Sequence, residues 1–455
     1  VADGRVGRMA GEMMSTNRSH LHVAALLVAV TLAVVSPVRV EARVLSEDVM
    51  VAELDNGIRV VVSPAHDVPV VSVVAVVRGG SSVEGRDQRG LAHIVEHMVF
   101  QGPIEGTPTG MLPQTIEALG GEIRAETSAD ASRYIATIAP DGAAEAIAAL
   151  GFALSAPVFD AQRLRTELDI MEKELDEVYA SPIVALRNTA TQAIYGDGPY
   201  AQSAGGGPEA LPQYTIHDVA AFHQTHYVGA NMAVIVAGDI DGQAAVDAVS
   251  EAFADIPLGA PTVPSLSADP ATPVDTITAP HGAPLVGLFF VAPGISAMRD
   301  VLATDVLLGI LDHGSASRMR TQLPRALPGV GGLGAGFLTQ RLPGHLYLWV
   351  DPGQASPQAA IGVLKTILAD IRDNGVSVEE CQQGARTALL LHAMGADTYT
   401  GQAESLAFYE AIDSYELAIS YEDEVLTIGP DDIRRVVLRY FDPDRALVVI
   451  GGGAP

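Results

Sequence analysis

The sequence predicts an α+β protein built from two similar domains, each a sheet packed with helices. The first observation is an internal repeat, in which residues 218–238 match residues 432–452 at an offset of 214. Each copy has the pattern of a helix, a turn and a buried strand. At the same offset the apolar run Val70–Gly80 falls on Pro284–Gly294. The second observation is a stretch between the copies, residues 257–272, that is rich in Pro, Ser and Ala and typical of an extended linker. A duplicated domain with a connecting linker follows from these patterns.

The 455 residues should therefore divide into four segments. We expect an N-terminal extension over residues 1–42, a first domain over 43–257, a linker over 258–272 and a second domain over 273–455. Two domains of about 200 residues each lie within the ordinary size range.

Within the N-terminal extension, residues 13–42 have the pattern of an export signal. Arg18 and His20 precede the 13-residue apolar run Val23–Val35, and Val40-Glu41-Ala42 follows with small residues where a signal peptidase cuts. The apolar run is shorter than the roughly 20 residues needed to span a bilayer, so we expect no stable membrane anchor. We therefore predict that the signal is cleaved near Ala42 and that the mature chain is exported to the periplasm.

The composition argues against binding to nucleic acids or anionic lipids and against cysteine-based chemistry. The chain has 55 Asp and Glu against 27 Lys and Arg, a formal charge of −28 that repels nucleic acid phosphates and anionic lipid surfaces. Cys381 is the only cysteine, which excludes a disulfide within the chain and a zinc site made of thiolates.

The segment from Gly90 to Pro103 carries the strongest chemical signal. It predicts an amphipathic helix, because apolar residues recur at i, i+3, i+4 and i+7; they are Leu91, Ile94, Val95 and Met98. His93 and His97 stand one turn apart on one face, where two imidazoles can meet one metal ion, and Glu96 lies beside them. This H-x-x-E-H pattern is typical of an inverted zincin.

A hydrolytic zinc site needs a third protein ligand and leaves a fourth position for water. The amphipathic segment over residues 162–178 is the expected donor, and its exposed face offers four carboxylates, Glu167, Glu172, Glu174 and Glu177. Glu167 and Glu174 are seven residues apart, about 10.5 Å along a helix, so both are not expected to bind one ion directly. Periodicity alone does not choose among the four.

H-x-x-E-H followed after 76 residues by a Glu resembles the pattern of the pitrilysin/insulinase metallopeptidases and the mitochondrial processing peptidases. Further similar stretches are Gly120-Gly121, residues 157–160 and residues 195–200. The resemblance implies that Glu174 is the third ligand and that Glu167 supports the site without binding the metal. It also implies that the two domains form half of a clamshell chamber.

The resemblance thus predicts a zinc metalloendopeptidase with one Zn²⁺ per chain, acting on unfolded peptides or short protein segments. A zinc ion on His93, His97 and Glu174 would polarise a water, and Glu96 would take its proton. The first domain is then the catalytic one. The second is a non-catalytic duplicate, because Leu307, Ile310 and Leu311 stand at the offset positions of His93, Glu96 and His97; that domain has no H-x-x-E-H.

Two departures from the family pattern concern substrate binding. Arg124 replaces an Asn that helps to hold substrate in the family, and Arg325 fits the position of a substrate-gripping Arg whose partner Tyr falls on Gly332. We assign Arg124 and Arg325 as candidate substrate-binding residues. The missing Tyr predicts a dimer, either with a related subunit that lacks zinc or as a homodimer, the commonest assembly.

Two other functions have some support in the sequence. Residues 329–334 form a literal G-x-G-x-x-G, but dinucleotide binding needs a strand before it and a helix opening within it. The other rival is a non-catalytic or partner-dependent scaffold subunit. The complete set of ligand residues and Glu96 favours an enzyme over that scaffold.

Overall fold

The computed structural model describes residues 45, 48–102, 110–201, 203–206, 214–264, 266, 270–279 and 284–452. The predicted export signal lies outside these residues. In the part described, no helix combines the length and apolar character needed to cross a bilayer.

Among its described residues, the first half contains a six-stranded sheet and seven α-helices. Its strands are β1 (Met50–Glu53), β2 (Arg59–Pro64), β3 (Val71–Arg78), β4 (Glu122–Thr127), β5 (Ala131–Ile138) and β6 (Met232–Gly238). Its helices are α1 (Leu91–Phe100), α2 (Leu112–Ala118), α3 (Ala143–Ser155), α4 (Ala161–Tyr179), α5 (Pro182–Tyr195), α6 (Ile216–His226) and α7 (Gly242–Ala252).

The described part of the second half contains a five-stranded sheet and seven α-helices. Its strands are β7 (Thr276–Ala279), β8 (Val286–Val291), β9 (Leu333–Phe337), β10 (His345–Val350) and β11 (Leu447–Gly451). Its helices are α8 (Met298–Leu311), α9 (Arg318–Ala326), α10 (Pro357–Asn374), α11 (Val378–Gly395), α12 (Tyr399–Ile412), α13 (Glu416–Val425) and α14 (Pro430–Arg439).

The two sheets have the same topology. The strand order is β1-β2-β6-β3-β5-β4 in the first sheet and β7-β11-β8-β10-β9 in the second. Apart from the extra β1, each strand of the first sheet has a counterpart at the same place in the second. In both sheets the pair β2/β6 or β7/β11 is parallel and the other pairs are antiparallel. The predicted α+β fold with two duplicated sheet-and-helix halves is therefore confirmed.

The domain limits predicted at residues 43, 258 and 273 stay predictions. All strands of the first sheet lie between residues 50 and 238, and those of the second lie between 276 and 451. The predicted linker falls between these two spans of chain.

The two halves exchange a helix. Helix α5 packs on β7, β8 and β11 of the second sheet, and α12 packs on β3, β5 and β6 of the first. Adding 214 to the residue numbers of α5 gives a range that overlaps most of α12, so the two helices are counterparts in the repeat. Each half therefore lends the same helix to the other half. Both faces of each sheet are thus covered, which explains why β6 is buried at every residue and shows no apolar-polar alternation.

A buried ion pair holds α12 on the first half. Glu410 of α12 is fully buried, and its Oε1 lies 2.5 Å from Nη2 of Arg78 and 3.2 Å from Nη1 of Arg59. Arg78 Nε also donates to the Glu410 carbonyl oxygen at 3.1 Å, and the Tyr415 N–H donates to Oε2 at 3.2 Å. Both oxygens of the buried carboxylate are therefore satisfied, as a charge removed from water requires.

Candidate metal centre

Helix α1 is fixed at its N-terminus by a carboxylate from the preceding loop. Glu84 accepts hydrogen bonds from the N–H of Gly90 at 2.8 Å and of Ala92 at 2.7 Å. Gly90 itself has φ 87°, and a Cβ there would lie 2.6 Å from the Gly205 carbonyl oxygen, so only glycine fits. With its apolar stripe buried in the first core, α1 turns His93 and His97 towards a cavity.

The structure brings His93, His97 and Glu174 together. Their nearest donor atoms all lie within 4.8 Å of one another. His97 Nε2 is 3.2 Å from His93 Nε2 and 3.5 Å from Glu174 Oε2. Donors about 2.0–2.1 Å from a tetrahedral zinc are about 3.3 Å apart, so this donor set of two imidazoles and one carboxylate fits zinc. In the described part of the chain, no other group of His, Cys, Asp or Glu converges in this way.

The His97 ring is oriented by Glu167. Its Nδ1 donates to Glu167 Oε2 at 3.1 Å, which leaves Nε2 free to face the other donors. Glu167 is only 2% exposed, and Arg163 Nε lies 2.9 Å from its Oε1 as the compensating charge. Burial lowers the pKa of His97, but the Glu167 hydrogen bond and the charges of Glu96 and Glu174 outweigh burial and raise it.

His93 is kept neutral by its surroundings. Burial, with a smaller effect of neighbouring His97, lowers the pKa of His93 to about 4. A neutral imidazole is the form that binds a metal. Its Nδ1 is buried and has no hydrogen-bond partner among the described residues.

Glu96 has the environment of a general base. It is 5% exposed, and its Oε2 lies 3.8 Å from His93 Nε2 and accepts a hydrogen bond from Thr127 Oγ1 at 3.1 Å. Burial raises the pKa of Glu96 to about 7, near the value at which a carboxylate both accepts and returns a proton.

These side chains line one cavity of about 570 Å³ between α1, α4 and β4. Strand β4 is at the edge of the first sheet, so one of its sides is unpaired. Thr127 and Arg163, which contact Glu96 and Glu167, had no predicted role in the sequence analysis. Arg163 could have been found from its i, i+4 spacing to Glu167; nothing in the sequence indicated that Thr127 bonds Glu96.

The two candidate substrate-binding arginines lie outside the lining of this cavity. Arg124 forms ion pairs with Glu126, at 3.3 Å, and with Glu404 of α12. Arg325 is exposed in the last turn of α9. At Gly332 a Cβ would approach the Trp349 ring to 2.9 Å, so the indole leaves little room for a side chain there. The substrate-binding roles of Arg124 and Arg325 stay predictions.

The second half has apolar residues at the positions that correspond to His93, Glu96 and His97. Leu307, Ile310 and Leu311 are all at most 4% exposed. The G-x-G-x-x-G segment does not have the structure of a dinucleotide site. Strand β9 begins at Leu333 within it, where such a site would require a helix.

A helix with H-x-x-E-H, a carboxylate from a second helix and a duplicated sheet-and-helix fold define an inverted-zincin type of metallopeptidase. The chain belongs to the insulinase family, peptidase family M16: residues 59–206 match the family's insulinase domain, and residues 213–387 match its inactive domain.

Relatives and solved structures agree with this family. The chain is 26% identical over 222 residues to a probable mitochondrial-processing peptidase subunit beta of Arabidopsis thaliana, covering 49% of this chain and 40% of that protein. It is 26% identical over 349 residues to a Mycobacterium leprae protein named an uncharacterized zinc protease, covering 72% and 75%. For several curated relatives, the matched region spans only about half of their length.

Among solved structures, a protease from Helicobacter pylori aligns with a TM-score of 0.81 and 18% identity over 89% of this chain and 99% of that one. The first half of the periplasmic protease PqqL from Escherichia coli aligns with a TM-score of 0.71 and 19% identity over 90% and 93%. At these identities the likeness shows the fold alone, which is the half-clamshell arrangement expected from the sequence.

Proposed function

We propose that this chain is a zinc-dependent endopeptidase that hydrolyses unfolded peptides or short protein segments in the cell envelope. The observation that carries the proposal is the convergence of His93, His97 and Glu174, with the buried Glu96 carboxylate 3.8 Å from His93 Nε2. One zinc ion per chain would be held by these three side chains. When bound, zinc acts as a Lewis acid that stabilises developing negative charge and makes water a better nucleophile.

The protein's own residues account for the proton transfers. Glu96 takes a proton from the water that attacks the peptide carbonyl and then delivers it to the leaving amine. Thr127 holds the Glu96 carboxylate through its hydrogen bond. Glu167 keeps the proton of His97 on Nδ1, so that Nε2 has a lone pair to offer.

The proposed substrate is extended and unfolded. Edge strand β4 contributes Ala125, Glu126 and Thr127 to the cavity wall, and its unpaired backbone groups can add a peptide as a further strand. Only a segment without competing structure can lie along a strand edge in this way. The export signal predicted over residues 13–42, with cleavage near Ala42, supports action in the periplasm.

Replacing the proposed ligands tests the metal site. We expect about one zinc per wild-type chain and less than a tenth of that in His93→Ala, His97→Ala and Glu174→Ala, because two protein ligands hold zinc too weakly. Glu167→Gln should keep zinc but bind it about 10–100-fold more weakly, since only the orientation of His97 is lost. Metal analysis after dialysis against a chelator gives both results.

The matched control for the metal analysis is Glu172→Ala, an exposed carboxylate on the same helix as Glu174. Its zinc content should equal that of the wild type. Stoichiometric zinc in all three ligand variants would show that the metal is bound elsewhere.

A second proposal concerns assembly: the chain acts as a dimer, most effectively with a related subunit that lacks the zinc motif. Gly332 replaces the Tyr expected from the family pattern, and glycine supplies no hydroxyl to stabilise an oxyanion. Loss of one such donor typically lowers the rate by about 10²–10³. The relative named subunit beta of a mitochondrial-processing peptidase gives a precedent for a multi-subunit peptidase in the family.

We therefore expect low activity from the purified, zinc-loaded chain on a denatured protein, and a rise of at least tenfold when a zinc-less relative from the same organism is added. The natively folded form of the same protein is the control substrate and should stay intact. Full activity of the chain alone, as monomer or homodimer, would contradict the heteromeric assembly.

A further inference from the structure

A second cavity, of about 370 Å³, lies in the second half between α8, edge strand β9 and α11. At the offset of 214 these elements are the counterparts of α1, β4 and α4, which enclose the candidate metal centre. Ala388 of α11, for example, stands at the position of Glu174. The duplicate half thus has a cavity at the corresponding place, lined by a different set of side chains.

The only carboxylate in the lining of this second cavity is Asp305 of α8. Its Oδ2 accepts a hydrogen bond from Tyr421 at 2.9 Å. Burial raises the pKa of Asp305 to about 7, opposed by the Tyr421 hydrogen bond, and no Arg or Lys of the described chain contributes to that pKa. His392 stacks on Tyr421 with ring centroids 4.4 Å apart, and burial lowers its pKa, so it does not serve as the counter-ion. Asp305 is half-buried and forms no ion pair with an Arg or Lys of the described residues, so its ionised form has no positively charged partner there.

The rest of the lining suits the end of a long basic side chain. Tyr409 and Tyr421 contribute aromatic rings, whose faces attract cations. Leu308, Phe337 and Leu391 provide apolar surface for an aliphatic stem. The volume lies within the usual range of small-ligand pockets, about 300–1,000 Å³.

We propose that this cavity binds an organic cation, an ammonium or guanidinium group on an aliphatic stem, with Asp305 as its counter-ion. The cation is either a Lys or Arg side chain of a peptide or a free small amine. The formal charge of −28 favours the approach of such cations to the whole chain. The site is separate from the metal centre and does not depend on the proposed peptidase activity.

Isothermal titration calorimetry of the full zinc-loaded chain tests the proposal with two probes of nearly equal shape, Nα-acetyl-arginine amide and the uncharged Nα-acetyl-citrulline amide. We expect the arginine compound to bind at least tenfold more tightly than the citrulline compound. Asp305→Asn should remove this preference, while asparagine can still accept the Tyr421 hydrogen bond. Asp397→Asn, an exposed residue just after α11, is the matched control and should keep it.

A second variant separates loss of binding from loss of folding. Ala388→Leu adds bulk to the cavity wall without changing any charge, and should also weaken the arginine compound at least tenfold; circular dichroism checks that both variants are folded. Agmatine distinguishes the two sources: binding of agmatine alone indicates a free amine, and binding of the arginine amide indicates a peptide side chain. If neither the arginine amide nor agmatine binds more tightly than the citrulline compound, or if folded Asp305→Asn keeps the preference for the cationic probe, the proposal is overturned.

Discussion

Glu96→Gln should lower kcat/KM for peptide hydrolysis by about 10³ while the zinc content stays at the wild-type level. A general base of this kind contributes about 10²–10⁴ to the rate, and an amide cannot accept the proton. The substitution keeps the size of the side chain, and the glutamine oxygen can still accept the hydrogen bond from Thr127. Because Glu96 is not among the three proposed ligands, the metal should remain. A fluorogenic peptide assay with metal analysis on the same samples measures both quantities.

The control for Glu96→Gln is Glu145→Gln, which makes the same chemical change at an exposed position on α3. Its activity should match the wild type. If Glu96→Gln with full zinc cleaves peptides within about threefold of the wild-type rate, another group must take the proton. If instead the variant loses its zinc, the activity measurement no longer isolates the base, and Glu96 would have to be placed among the groups that hold the metal.

The local part of the site could be predicted from the sequence because its spacing is fixed by one helix. His93, Glu96 and His97 lie within a span of five consecutive residues, and helix geometry alone places them on neighbouring parts of one surface. The third ligand could not be assigned from the residue pattern. Periodicity identifies the polar face of α4, but it does not show which of its carboxylates lies closest to the histidines of α1. In the structure the two candidates face different nitrogens of His97: Glu167 is at Nδ1 and Glu174 is at Nε2.

The long-range packing could not be predicted in the same way. The unbroken apolar run of β6 indicated a strand covered on both faces, and the duplication indicated two sheets. Neither pattern shows that α12, more than 150 residues further along the chain, covers the first sheet while α5 covers the second. The ion pair between Arg78 and Glu410 could not be predicted either, because Glu410 belongs to the exchanged helix α12.

No sequence pattern indicated the second cavity, because the offset positions of the metal-binding motif carry no metal donors. Leu307, Ile310 and Leu311 are the offset counterparts of His93, Glu96 and His97, and all three are buried in the core. The cavity lies beside them and takes its polar group from Asp305, which corresponds to the apolar Leu91 of α1. The corresponding cavities of the two halves are thus lined by side chains from different positions of the equivalent helices.

Glu410→Ala should destabilise the chain by about 3–5 kcal/mol, the usual result of removing one partner from a buried ion pair. Burial lowers the pKa of Arg78, and the charge of Glu410 opposes that effect. Without Glu410 the Arg78 guanidinium, only 18% exposed, would remain in the interior without its acid. Arg59 would suffer less, because 41% of its side chain is exposed and can turn to water. A lower urea midpoint, followed by fluorescence and circular dichroism together, would report the loss.

The same helix provides the control for Glu410→Ala. Glu404 pairs with Arg124, whose side chain is 50% exposed, so Glu404→Ala should change stability by no more than about 1 kcal/mol. The double variant Arg78→Met/Glu410→Leu should recover most of the lost stability, because removing both charges leaves no unpaired group in the interior. Equal effects of Glu410→Ala and Glu404→Ala would show that the buried pair does not hold α12 on the first sheet. The double variant then decides between charge and packing: if it is as unstable as Glu410→Ala, the stability comes from how the side chains fill the space beneath α12, and the missing counter-charge is not the cause.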